Sequence, residues 1–313
     1  MARRGMSGRR WWQLVQVVAG VVVLFFAIRQ IWRDWDEIRA SQLDWNIRPL
    51  LVLGSLAITL VMYALLIAVW RQFLRDWGQQ LGGWTAARIW TIANLGKYIP
   101  GKIWAIAGLA IMAQRQGVAA WAATASAVVL QALAVGTGVL VAGLAGTQVL
   151  ASTHPWVVPA LWTLAIASAA GVFLLVSPAV NRLITTRVLG REPAGSPRPG
   201  TVLLGIGVNL MAWGGYGVAF WLLARGTLAG VQLSLVDAIG AFTTSYLAGL
   251  LFLLAPGGLF VRESIMILML QGSIGLAPAG ALAVASRLML TLTEIGVAVP
   301  FLVLRSERPS VPS

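Results

Sequence analysis

The sequence predicts an all-α polytopic membrane protein with about six spanning helices and two broken or re-entrant helical hairpins. Three observations lead there. Hydrophobic residues make up 58% of the chain and charged ones 11%, with a mean hydropathy of +0.82, whereas soluble domains carry about 25% charge. Apolar runs long enough to cross a hydrocarbon core about 30 Å thick recur at 12–31, 49–70, 118–146, 156–176, 201–223 and 279–304. Two more apolar regions, 84–115 and 235–276, are each interrupted by proline and glycine, at Ile99-Pro100-Gly101 and Ala255-Pro256-Gly257-Gly258.

The first run follows four arginines (Arg3, Arg4, Arg9, Arg10), is longer than a signal-peptide core and has no small-residue cleavage site after it. It reads as an uncleaved first span rather than a twin-arginine export signal. Segment 31–45 places Ile31, Trp35, Ile38 and Trp45 at helical spacing with charges between them, as an amphipathic helix in the interface would. Its acidic run Asp34-Trp35-Asp36-Glu37 reads as the solvated face of that helix rather than a metal site. Trp11, Trp12, Trp32, Trp45, Trp84 and Trp156 lie near span ends, the usual place for interfacial anchors.

In 84–115 the halves are too short to cross, because proline breaks the helix and glycine lets the chain turn back. A re-entrant hairpin is the simplest reading. The halves of 235–276 are longer, and either a second hairpin or two crossings fits them. With both regions entering and leaving by one face, Arg71, Arg75 and Arg88, the basic loop 177–200 and Arg305 and Arg308 share a side with the N-terminus. The positive-inside rule makes that side, with both termini, cytoplasmic in a cell (plasma or inner) membrane. Segment 32–48, where arginines are matched by acids, departs from a clean rule. Residues 12–146 and 156–304 then repeat one order of elements with opposite orientation inside a single transmembrane domain, 1–313. Inverted repeats with broken helices are a common build of secondary transporters.

Composition also excludes chemistries. There is no cysteine and one histidine, His154, in a polar break before Pro155. No metal site or cofactor is called for, and no nucleophile–base pair or phosphate-binding loop is visible. The net charge of +13 belongs to the loops between spans, so it reads as topology rather than nucleic-acid binding.

The candidate site lies at the breaks. Lys97 and Lys102 are the only lysines, within Gly96-Lys97-Tyr98-Ile99-Pro100-Gly101-Lys102, while every other basic residue is arginine. An intramembrane lysine is costly unless paired or hydrated, and a half-helix N-terminus beside it adds positive potential, so an anion site follows. The bland alternative is a loop whose lysines reach water. After the second break, Arg262 and Glu263 open a helix, and Glu263 is expected to feel its dipole, to face Lys97 or Lys102, or, if desolvated, to serve as a proton-titrating group. Arg287 and Glu294 lie two turns apart on one face of the last span, where they line a cavity or tie helices together.

The segments Asn94–Lys102, Pro256-Gly257-Gly258 with Arg262-Glu263, and Ser286-Arg287-Leu288 resemble the flippase-like transmembrane region of lysylphosphatidylglycerol synthases and their stand-alone relatives. Phe260 departs from the pattern by standing where a second small residue is common, and the expectation is a smaller cavity. The resemblance implies a lipid transporter or flippase that moves an anionic or phosphate-bearing lipid between leaflets. The soluble synthase half is expected to be absent, so the chain is not expected to be an enzyme. Tyr98, Pro100, Gly101, Pro256, Gly257 and Gly258 complete the expected substrate-binding set. The competing expectation is a non-catalytic membrane partner of a glycosyltransferase or cell-envelope assembly.

Overall fold

The computed structural model describes residues 43–99, 103–146, 157–176, 197–252 and 258–303. The first span, residues 31–42 of the 31–45 segment, residues 177–196 of the basic loop, His154 and both Pro-Gly dipeptides with Lys102 lie outside them; Trp45, expected on an amphipathic helix, sits instead in a non-helical bridge. Nine α-helices form among the described residues: α1 (Pro49–Asp76), α2 (Gly83–Asn94), α3 (Ile103–Gln114), α4 (Ala120–Val141), α5 (Val157–Val176), α6 (Pro199–Thr227), α7 (Leu235–Leu251), α8 (Val261–Ile274) and α9 (Leu276–Val303). A 3-10 turn, Leu95–Tyr98, follows α2, and a π-helical stretch, Ala142–Gly146, prolongs α4.

Local signals explain the boundaries. Pro49 and Pro199 sit at the first turns of α1 and α6, where a missing N–H costs nothing. Ser234 caps α7 by accepting from the Asp237 amide at 3.0 Å, and Asp237 favours that helix's positive end. Four stretches, Pro49–Asp76, Ala120–Gly146, Pro199–Thr227 and Leu276–Leu302, are long and apolar enough to cross a membrane. They carry exposed Leu53, Val61, Val128, Leu203, Met211, Leu292 and Val299 outward, an apolar surface that lipid rather than water would cover. The chain is therefore a multi-pass membrane protein.

The two interrupted regions both fold as helix pairs. α2 and α3 have 12 residues each, about 18 Å at 1.5 Å per residue and too short to cross. They pack on each other, as do α7 and α8. The outer ends of α2 and α3 meet, because the Ala119 amide donates to Gln79 Oε1 at 2.8 Å. That end also holds the α1 terminus, where the Arg198 amide donates to Asp76, and the α9 terminus, where Phe301 packs on Trp84 at 4.7 Å. The other end joins Trp45 to Leu228 in an isolated bridge and Trp221 to the Leu233 carbonyl. From there α7 departs. The two hairpins thus start from opposite ends of the bundle.

Charge divides along the same axis. At or within two turns of the first end lie Arg71, Arg75, Arg88, Arg115 and Arg198 with Asp76; at the other lie Asp44, Arg48, Arg225 and Asp237. The remaining charged residues among the described ones are Lys97, Arg262, Glu263, Arg287 and Glu294, and all five gather in the middle. Two apolar cores flank them. One is built on Trp70, Phe73, Leu74 and Ile89 with α3 and α4, the other on Phe220, Phe242, Met266, Met269 and Leu282.

Candidate functional site

A cavity of about 230 Å³ occupies the seam between the two cores. Tyr63, Gln131, Trp213 and Leu290 line it, and each lies within one turn of the midpoint of its long helix. The tips of both hairpins reach it through Asn94, Lys97, Tyr98, Gly258 and Arg262. The described ends of both helix pairs therefore converge near the midpoints of the long helices.

Glycine makes the tips compact. A Cβ on Gly96 would lie 2.8 Å from the backbone of Trp104 and Ala105, and one on Gly258 would lie 2.7 Å from Gly249 Cα. Gly258 also has φ +69°, which side-chain-bearing residues rarely adopt. In each hairpin, then, a glycine lets the entering and leaving backbones touch and carries the neighbouring charge inward. Phe260 shares this strained geometry with φ 67°, and its ring is 47% exposed. It does not line the cavity, so the expected narrowing at Phe260 is overturned: the turn throws the ring outward.

The charges are arranged around α9. Lys97 forms an ion pair with Glu294, and Tyr63 and Tyr98 donate to the same carboxylate at 2.8 and 2.9 Å. Tyr98 also bonds Thr291 at 3.0 Å. Two turns before Glu294 on α9, Arg287 pairs with Glu263 at 2.5 Å. The expectation that Glu263 faces Lys97 or Lys102 is corrected for Lys97: Glu263 lies on the first turn of α8, beside Arg287, while the first hairpin reaches Glu294. Arg287 lines the cavity, and Arg287 and Glu294 each tie α9 to a different hairpin.

Arg262 differs from the other cations. It is 7% exposed, donates to Ser286 Oγ at 2.8 Å, and stacks near Phe242 and Tyr246 at 5.2 and 5.4 Å. No carboxylate among the described residues forms a salt bridge with it. A buried guanidinium held by a hydroxyl and two rings, on a cavity wall, has room for an anion.

Sequence reasoning named Tyr98 but missed the other three tyrosines. The chain has four, and Tyr63, Tyr98, Tyr216 and Tyr246 all line this cavity. Tyrosine in membrane proteins usually marks the interface, so its placement near the middles of apolar runs was a readable signal. Asn209 and Gln131, strongly polar residues deep within their spans, were signals of the same kind. Among the described residues no group of three or more His, Cys, Asp or Glu gathers as a metal site would.

The family model described as the Lysylphosphatidylglycerol synthase TM region matches residues 13–295. The chain belongs to this family. No curated protein matches it. Membership in the lysylphosphatidylglycerol synthase TM region family ties the chain to a membrane-lipid role. The family match spans both hairpins and all five central charges, so the cavity lies within the shared region.

Proposed function

We propose that the chain moves a lipid with an anionic or phosphate-bearing head group between the leaflets of the cell membrane, without chemical change to the lipid. The observation that carries this reading is Arg262: a buried guanidinium with no carboxylate partner among the described residues, on the wall of a mid-depth cavity. Burying an unpaired charge is costly. A site that tolerates it gains most when an anion arrives. The opposed hairpins support the reading, since helix pairs entering from the two sides and meeting at the centre give a barrier thin enough to open either way. The five-to-one excess of arginine over acid at the end holding the α2–α3 hairpin favours the cytoplasm there.

The test is leaflet-to-leaflet movement of labelled lipids in liposomes holding the purified protein, with anionic and zwitterionic head groups compared. Faster movement of anionic lipid, lost in Arg262→Met and reduced in Lys97→Met/Lys102→Met, is the expected result. No movement of any lipid by well-folded protein would refute it and favour a partner role beside a glycosyltransferase or envelope-assembly enzyme.

A further inference from the structure

The two central carboxylates are bonded unequally. Glu294 has both oxygens engaged: Oε1 accepts from Lys97 and Tyr63, and Oε2 accepts from Tyr98. Glu263 has only one engaged. Its Oε1 pairs with Arg287, while its Oε2 is buried without a hydrogen-bond partner among the described residues. A buried carboxylate answered on one oxygen alone leaves part of its desolvation cost uncompensated. A proton on Oε2 removes the charge and, with it, the hold on Arg287. On Glu294 the same proton would displace one of three donors. The surroundings of Glu263 set the condition for that uptake. α8 packs on α7 and α9; Arg287 and Glu294 face this end of it from α9, Tyr246 from α7, and Arg262 stands beside Glu263 on the first turn, while Asp237 lies in the first turn of α7. The helix dipole and Arg287 favour the ionised carboxylate until an anion arrives. An anion at Arg262, one residue away, sets a second negative charge beside Glu263 and offsets both.

Resting on the transport reading above, we propose that Glu263 is a proton-binding site coupled to the anion: a proton taken up at Oε2 releases Arg287 as an anionic head group reaches Arg262, and proton and anion cross together. The coupling is reciprocal, because an anion that favours proton uptake is itself bound more tightly once the proton is on. Arg287 lines the cavity, so with Glu263 neutral its guanidinium turns to the anion alongside Arg262. The ion pair tying α8 to α9 is then given up only when anion and proton are both present. Release on the far side reverses the order: the anion leaves, the proton follows it to water, and Glu263 recovers Arg287. One negative and one positive charge move per cycle, so the step is electroneutral.

The experiment places the full chain in phosphatidylcholine liposomes with a trace of acyl-labelled phosphatidylglycerol or phosphatidylserine. The lumen is made about one pH unit more acidic than the outside, with potassium and valinomycin holding the membrane potential at zero, and dithionite bleaching reads the label in the outer leaflet once it is steady. Because anion and proton move as a pair, that gradient should hold the label about tenfold in favour of the outer leaflet, which faces the more alkaline side. Protein-free liposomes supply the baseline. Glu263→Gln, which carries no titratable group, should abolish the enrichment, and the gradient response of the unaltered protein stands even if that variant misfolds. Rapid movement to an equal distribution in the unaltered protein would overturn the coupling and leave transport intact. No movement of label would overturn both. Enrichment that persists in Glu263→Gln would overturn the assignment to this carboxylate.

Discussion

Removing Glu294 tests the centre of the molecule most directly. The carboxylate, 4% exposed, accepts from Lys97, Tyr63 and Tyr98. Glu294→Ala strands the Lys97 ammonium and the Tyr63 hydroxyl, while Tyr98 keeps Thr291. Removing one partner of a buried pair costs about 3–5 kcal/mol. Lys97→Met should cost less, about 2–3 kcal/mol, because two phenols still donate to the carboxylate. Lys97→Met/Glu294→Ala removes both charges together and should be no worse than Glu294→Ala alone, giving a coupling energy of about 2 kcal/mol or more. Reversible SDS unfolding in mixed micelles, followed by tryptophan fluorescence, measures all four corners of the cycle. Additive effects, with Lys97→Met within about 0.5 kcal/mol of the parent, would refute the reasoning and return Lys97 to a solvated loop.

Arg262→Met should leave stability unchanged or raise it, since it removes a buried cation with no carboxylate partner among the described residues, yet abolish anionic-lipid movement; a marked loss of stability by SDS unfolding would make Arg262 structural. Gly258→Ala should destabilise by about 1–3 kcal/mol, because its Cβ would meet Gly249 at 2.7 Å at positive φ. Phe260→Gly should stabilise by roughly 1 kcal/mol in the same assay by relieving the backbone at φ 67°. The chain has no cysteine, so Gln79→Cys and Gly230→Cys can be introduced alone; they should label from opposite sides of the membrane, and labelling from one side would disprove the opposed hairpins.

The fold was legible because its signals are local. Apolar run lengths located the long helices to within a few residues, and proline with glycine located both interruptions. Residue rarity pointed to three residues that the structure brings together at the centre, Lys97, Glu263 and Glu294, while Lys102 lies outside the described residues. What the sequence left open was pairing, because a carboxylate on α9 can reach either hairpin and only packing decides. Glu294 goes to Lys97 and Glu263 to Arg287 because the two hairpins meet α9 about two turns apart. Phe260 was misread for a related reason. Its identity suggested bulk in the cavity, but the sign of one backbone angle turned that bulk outward.

The two clamps on α9 constrain how the cavity can work. Ser286 and Arg287 hold the second hairpin, while Thr291 and Glu294 hold the first, about 10 Å further along the helix. Breaking either buried pair without replacement costs about 3–5 kcal/mol, and total stability for most proteins is about 5–15 kcal/mol. Opening both hairpins at once would consume most of that. Opening one while the other holds would not. On the transport reading proposed above, a lipid phosphate beside Arg262 would also screen the cation left behind when Glu294 or Glu263 departs, so the hairpins would open singly and in the presence of lipid.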